Sequence, residues 1–284
     1  MRQIFHCGRF AFDLASRPLV MGILNITPDS FSDGGRFQSL EFALSRAEEM
    51  VGEGVDLIDI GGESSRPGAP PLPLNEELQR VMPVLYALRD LGKPLSVDTY
   101  KPEVMREAII AGADMINDIN GFRAPGAIDA VVDSDCALCV MHMQNDPRTM
   151  QQHPVYADVV HEVINYLIER VDALVAAGVE RERICVDPGF GFGKTVEHNY
   201  ALLRGIGQMR ATLRLPVLAG LSRKSMIGAV TGKPVEQRLA GNLAGALAAL
   251  AQGAGIVRVH DVVETVDAFK VWQAAGSPHS YSLT

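Results

Sequence analysis

Eight short apolar runs punctuate the chain, each ending in a polar or glycine-rich stretch: residues 20–24, 57–60, 95–97, 115–116, 137–141, 184–186, 217–219 and 256–257. Between them lie longer segments, among them residues 40–53, 75–91, 102–111, 155–177, 236–252 and 262–274, whose apolar residues recur three and four apart. That spacing is the period of a helix with one buried face. Short buried strands alternating with helices are parallel βαβ units, and eight of them are the number that closes a barrel. Helix stops at Gly92-Lys93-Pro94 and Gly112-Ala113 fit the alternation. The expected fold class is therefore α/β, a single (β/α)8 TIM barrel with a short N-terminal hairpin. No Ser/Pro linker or low-complexity segment interrupts it, so one domain is expected over residues 1–284, with the hairpin at 4–14 and the barrel at 20–275. An open doubly wound sheet is the alternative that the same alternation allows.

Charge narrows the partners. The 26 Lys and Arg are outnumbered by 34 Asp and Glu, for a formal net charge of −8. A field of that sign repels nucleic acid and anionic lipid unless a local basic patch offsets it; the cations are scattered, so neither nucleic acid nor membrane is an expected partner. The N-terminal residues include Arg2, His6 and Arg9 and do not read as a signal peptide. The most apolar stretch, residues 243–251, is far short of the roughly 20 residues that span a bilayer, and a cytoplasmic location is expected. Cys7, Cys136, Cys139 and Cys185 form no disulfide framework. Cys136 and Cys139 make a CxxC, but residues three apart on a strand face opposite ways. Inert core thiols are expected.

In a barrel of this kind the chemistry sits where the strands end. The residues there are Asn25, the Glu63-Ser64-Ser65-Arg66 loop, Asp98, Asn117, His142, Asp187, the Ser222-Arg223-Lys224-Ser225 loop, Arg258 and His260. Burying such groups is costly unless they pair with one another or with a ligand. The cations gather after the seventh and eighth runs, where this fold commonly holds a phosphate; Met226-Ile227 would open a short helix with N–H groups free near Ser225. The stretch from Gly189 to Thr195 ends like a P-loop, yet the first required glycine is Pro188. It is expected instead to be a flexible wall exposing Phe190 and Phe192. Asp98, Asn117 and Asp187 together suit a ligand edge rich in N–H donors, such as a 2-aminopyrimidinone. Glycosidase-like acid/base work is the other use of paired carboxylates, but it leaves the anion loops unexplained.

Eight motifs in order then carry a resemblance: Asn25-Ile-Thr-Pro-Asp-Ser-Phe-Ser-Asp-Gly-Gly35, Asp59-Ile-Gly-Gly-Glu-Ser-Ser-Arg-Pro-Gly68, Ser96-Val-Asp-Thr99, Ile116-Asn-Asp-Ile119, Met141-His-Met143, Asp187-Pro-Gly-Phe-Gly-Phe-Gly-Lys194, Ser222-Arg-Lys-Ser225 and Arg258-Val-His-Asp261. Over nearly the whole chain they resemble the dihydropteroate synthase family. That resemblance implies joining of 6-hydroxymethyl-7,8-dihydropterin diphosphate to p-aminobenzoate by a dissociative displacement, and a sulfonamide target. It implies that Asp98, Asn117, Asp187 and Lys224 surround the pterin, and that Asn25, Arg258 and His260 hold the diphosphate, with Asn25 also on Mg2+. The loops of Asp33 and of Ser65-Arg66-Pro67 would close over the site. Phe192, Pro67 and Lys224 would flank the aminobenzoate ring, whose carboxylate would lie near Ser225, with Ser222 in the anion loop. Asp98, Asp187, Lys224, Arg258 and His260 would be the catalytic set, in a homodimer formed through the outer helices. Ser65 stands where the family usually has threonine. The remaining alternatives are a non-catalytic pterin-binding paralogue, a methyltetrahydrofolate-dependent methyltransferase domain, and a Schiff-base aldolase using Lys224.

Overall fold

A computed structural model describes residues 3–26, 36–64, 68–145, 149–151 and 154–276. It opens with an antiparallel hairpin, β1 (Ile4–Cys7) and β2 (Phe10–Asp13). There follow β3 (Leu19–Asn25), α1 (Arg36–Glu53), β4 (Leu57–Gly61), α2 (Leu74–Leu88), β5 (Leu95–Asp98), α3 (Pro102–Ile110), β6 (Met115–Asp118), α4 (Ala127–Val131) and β7 (Ala137–Met141). The second half continues with α5 (Val159–Ala177), β8 (Ile184–Asp187), α6 (Val196–Leu213), β9 (Leu218–Ala219), α7 (Ser225–Thr231), α8 (Leu239–Ala251), β10 (Ile256–Val259) and α9 (Val262–Ala274). The parallel strands pair in the order β8-β7-β6-β5-β4-β3-β10-β9. A parallel bridge from Val186 to Val217, just before β9, returns the sheet to β8 and closes the barrel. The open doubly wound sheet is thereby excluded.

All eight apolar runs are strands, and several extend into the polar residues that follow them: Asn25, Asp98, Asn117 and Asp187 lie on strands. A ladder hydrogen bond is indifferent to side-chain polarity, so the strand outlasts its apolar run. Helix α5 starts four residues later than its apolar period suggests, because Asp158 caps it by accepting from the N–H groups of Val160 and His161. The helical segments named from the sequence omit α6, which starts with a Thr195–His198 capping box.

Period-2 alternation divides the strands. Leu57, Met115, Cys139, Cys185, Leu218 and Ile256 pack inside the barrel with Met21 and with Phe5, Cys7 and Leu14, which plug one end. The alternate residues Ile58, Val97, Ile116, Val140, Val186 and Val257 pack against the helices. All four thiols are free and buried. Cys139 joins the inner cluster, opposite Cys185 in register, while Cys136 donates to the Ala113 carbonyl at 2.8 Å. The CxxC pair thus shares no site, and burial pushes the Cys136 thiol up to about 12.

The plug is held by Asp114. Its carboxylate accepts from Arg9 Nε and Nη2, both at 2.9 Å, and from the N–H groups of Arg9 and Leu95, both at 3.1 Å. Gly8, at φ +55°, lies so close that a Cβ there would stand 2.6 Å from Asp114 Oδ1. Asp114→Ala would leave the buried Leu95 N–H unpaired and release the hairpin. A loss of about 2–3 kcal/mol is expected, read as a lower urea midpoint at unchanged m-value.

Candidate active site

The inner alternation changes character one step further along each strand. Two residues beyond Leu57, Ser96, Met115, Cys185 and Ile256 stand Asp59, Asp98, Asn117, Asp187 and Arg258. Arg258 is the centre of the cluster: its Nε donates to Asp59 Oδ2 at 2.5 Å and its Nη2 to Asp98 Oδ2 at 3.0 Å. Asn117 Nδ2 donates to the same Asp59 oxygen at 3.2 Å. Gly220 completes the ring, since a Cβ there would lie 3.8 Å from Arg258 Cβ, Asp187 Oδ2 and Lys224 Nζ alike. Opposite, a Cβ on Gly61 would lie 3.6 Å from Asn25 Oδ1 and 3.9 Å from Asp98 Oδ2. The barrel therefore gathers Asn25, Asp98, Asn117, Asp187, Lys224 and Arg258 at one mouth.

Sequence reasoning missed Asp59, which ties Arg258 down. Its signal was present: a carboxylate in the middle of the apolar run 57–60. Asp59 Oδ1 and Ser96 Oγ, on register partners of β4 and β5, are both buried without a hydrogen-bond partner among the described residues. Buried polar atoms left unpaired by the protein mark a surface made for a polar ligand or ordered water.

Burial sets the electrostatics. It pushes the Asp98 carboxyl up to about 7 against the pull of Arg258. It raises Asp187 also, opposed by Lys224, and lowers the Lys224 ammonium to about 8 against the pull of Asp187. Burial works to lower Arg258 as well, yet Asp59 and Asp98 outweigh it and hold the guanidinium above its ordinary value.

The loop after β8 corrects an expectation. It does not expose Phe190 and Phe192, which are 0% and 8% exposed. Gly189, Gly191 and Gly193 all take left-handed φ, at +69°, +81° and +65°, and turn the aromatic side chains inward. Phe192 packs with Ile119, Met141, Met143 and Met150. A Cβ on Gly189 would stand 1.9 Å from the His142 carbonyl, so only glycine fits. Lys224 Nζ donates to the Phe190 carbonyl at 2.5 Å and stands 4.8 Å from the Phe192 ring centroid. Lysine and phenylalanine thus form one wall of the mouth.

At the anion loops, Ser222 Oγ lies 3.0 Å from His260 Nδ1 and accepts from the His260 N–H at 3.3 Å. The one hydroxyl thus holds both the backbone and the ring of His260, tying the two anion loops together. Arg223 turns away to Asp261 at 2.6 Å. Ser225 is exposed and begins α7. His142, expected at the mouth, is buried and bonded to Lys194. Beside the β4 loop, Lys101 bridges Glu63 and Glu77, and the Tyr100 hydroxyl donates to Glu63 at 2.8 Å. A cavity of about 560 Å³ opens here, lined by Glu63, Tyr100, Ile119, Arg123 and Met143 among others. Asp33, Ser65, Arg66 and Pro67 lie outside the described residues. No helix among the described residues is long and apolar enough to cross a membrane.

Residues 21–260 match the model of a family described as pterin binding enzyme. The chain is 51% identical over 263 residues to the dihydropteroate synthase of Haemophilus influenzae, covering 92% of this chain and 95% of that protein. It superposes with a TM-score of 0.89 on a Burkholderia cenocepacia dihydropteroate synthase complexed with 7,8-dihydropteroate, at 57% identity over 96% of each chain. A Xanthomonas albilineans dihydropteroate synthase with 4-aminobenzoic acid gives a TM-score of 0.90 and 49% identity, covering 97% of this chain and 98% of that one. The eight-stranded closed sheet, the convergent mouth and these likenesses agree, and the chain belongs to the dihydropteroate synthases of the pterin-binding enzyme family.

Proposed function

We propose that the chain condenses 6-hydroxymethyl-7,8-dihydropterin diphosphate with p-aminobenzoate, releasing diphosphate and 7,8-dihydropteroate. The observation that carries this is the convergence of Asp98, Asn117 and Asp187, acceptors for an aminopyrimidinone, with Arg258 and Lys224 around one mouth. The C–O bond between the pterin methylene and diphosphate breaks, a C–N bond to the arylamine forms, and the amine proton leaves to water or diphosphate. The carbon left by diphosphate carries positive charge delocalised into the pterin. Asp98 and Asp187 would stabilise it by position alone, favouring a dissociative path. Arg258 spends Nε and Nη2 on Asp59 and Asp98, which leaves Nη1 to meet the departing charge beside His260 and Ser222. Phe192 would give the arylamine its apolar floor under the Lys224 ammonium. The loops carrying Asp33 and Ser65-Arg66-Pro67 would exclude water.

Mg2+ fits as a cation that arrives with the diphosphate. The exposed Asn25 carboxamide is a single neutral oxygen donor, and no group of three or more His, Cys, Asp or Glu among the described residues forms a metal centre. A hard cation that takes the rest of its shell from phosphate and water needs no more. When bound it supplies charge neutralisation at the leaving group. Assembly as a homodimer through the outer helices belongs to the same reading, supported by the exposed Val230, Val235, Leu239 and Val263 side chains; sedimentation equilibrium at micromolar concentration tests it.

Purified protein given dihydropterin diphosphate, p-aminobenzoate and Mg2+ is expected to release one diphosphate per dihydropteroate formed. Pterin binding without turnover would select the non-catalytic paralogue, and turnover of a methyl-bearing pterin in place of the diphosphate would select the methyltransferase. Ser222→Ala, which removes the hydroxyl contact to His260, is expected to raise KM for the pterin diphosphate about fivefold, the worth of one hydrogen bond near 1 kcal/mol. Steady-state kinetics at saturating p-aminobenzoate check it.

A further inference from the structure

The loop from Pro188 to Lys194 has little regular backbone pairing, and side chains hold its carbonyls instead. Lys224 donates to Phe190 O, Gln151 to Gly191 O, Lys194 to Phe192 O and the Tyr156 hydroxyl to Gly193 O. Of these clamps, Lys194 is the unusual one. It is a buried lysine that forms no ion pair with any carboxylate within reach among the described residues. Its Nζ donates to Phe192 O at 2.9 Å, to His142 Nδ1 at 3.0 Å and to His142 O at 3.4 Å. Burial pushes the amine well below the ordinary lysine range against the pull of Asp187, and the three acceptors match the donors it can offer. A methionine or leucine would fill the space at lower desolvation cost. What only the lysine amine supplies is a three-way tie between the loop after β8 and the loop after β7.

His142 is built to accept that tie. Its Nδ1 lies 3.0 Å from the amine, and the ring stands edge-on to Tyr166 with centroids 4.8 Å apart. Asp187, the last residue of β8, is fixed by other means: its carbonyl accepts from the His142 N–H at 3.0 Å, and its Oδ1 from the Gly189 N–H at 2.7 Å. Loss of Lys194 would therefore release Phe192 while leaving Asp187 in place.

We propose that Lys194, with His142 as its acceptor, is a positioning residue for the arylamine half-site, setting the height of the Phe192 ring beneath Lys224 without touching either substrate. The inference rests on the reading that Phe192 floors the arylamine site, and the experiment separates the two. Lys194→Met is expected to raise KM for p-aminobenzoate roughly tenfold. Neither kcat nor the dissociation constant for dihydropterin diphosphate, measured by calorimetry, should change by more than about twofold. His142→Leu, which removes the acceptor but keeps the lysine, should move KM the same way, and His142→Gln, which restores an acceptor, should bring it back. Should Lys194→Met not fold, the two His142 variants carry the same test. A lower Tm with an unchanged KM would make Lys194 a merely structural residue and overturn the proposal. Phe192→Ala is the control. If it raises KM and the Lys194 and His142 variants do not, this inference alone falls; if it too leaves KM unchanged, the arylamine reading of Phe192 falls with it.

Discussion

Replacing Arg258 by methionine is expected to lower kcat/KM for the pterin diphosphate about a thousandfold. Two effects contribute. A preorganised donor lost from a developing oxyanion costs about 10²–10³ in rate, and the two carboxylates that Arg258 grips lose their counter-charge. Asp59 is fully buried and bonded to Arg258 Nε, and Asp98 to Nη2. Removing one partner from such a network costs about 3–5 kcal/mol when the remaining charges stay ionised. Asp98 has an escape, since burial already holds its carboxyl near 7 and it would protonate once the guanidinium is gone. The loss of folding stability should therefore fall at the lower end of that range. Arg258→Lys keeps the charge but cannot hold two carboxylates and a diphosphate oxygen at once, so an intermediate loss is expected. The double variant Arg258→Met with Asp59→Asn separates the contributions: it should regain stability in urea melts without regaining turnover. A kcat/KM within tenfold of wild type for Arg258→Met would mean that the diphosphate leaves without help from β10.

Most of this arrangement was legible in the sequence, because both the barrel and its mouth follow from one periodicity. Apolar runs marked the strands, and the polar residues just past them were the rim. What periodicity conceals is a polar residue within a run. Asp59 lies between Ile58 and Ile60, where a count of apolar residues absorbs it, yet it faces inward on the same side as Leu57. Rotating the count to period 2 would have exposed it, because Leu57 and Asp59 share the inner face as Met115 and Asn117 do, or Cys185 and Asp187. The loop after β8 was misjudged for a different reason. A glycine at every second position suggests mobility, but here each one takes a left-handed turn against the His142, Gln144 or Lys224 atoms beside it. Such glycines specify a shape, and nothing local in the sequence distinguishes them from flexible ones. Lys194 escaped notice because its partners, two carbonyls and an imidazole, are set by the meeting of two loops.

Asp98→Asn should weaken dihydropterin diphosphate binding roughly a hundredfold, since a charge-assisted pair of hydrogen bonds to the pterin edge is worth about 1.5–3 kcal/mol. The wild-type pH profile offers a second view of the same residue. Burial places Asp98 near 7 and Lys224 near 8 in the free protein. Below about pH 7 Asp98 is protonated and can no longer accept two N–H bonds; above about pH 8 Lys224 loses the proton that gives it charge. kcat/KM for the pterin substrate, which reports free-enzyme ionisations, should thus be a narrow bell with limbs near those two values. Asp98→Asn should erase the acid limb, and Lys224→Arg should carry the alkaline limb beyond the measurable range. Folding stability supplies the sign of the Asp98 shift independently. The folded carboxyl sits near 7 and an unfolded aspartate near about 3.9, so between those values the folded chain holds a proton that the unfolded chain has released. Its contribution to stability is then fully present below about pH 4 and is lost as the pH rises through 7. Urea midpoints for the wild type should fall across that window more steeply than those of Asp98→Asn. Parallel slopes, or a kcat/KM that stays flat from pH 6 to 9, would place Asp98 among ordinary solvated carboxylates and remove it from the pterin edge.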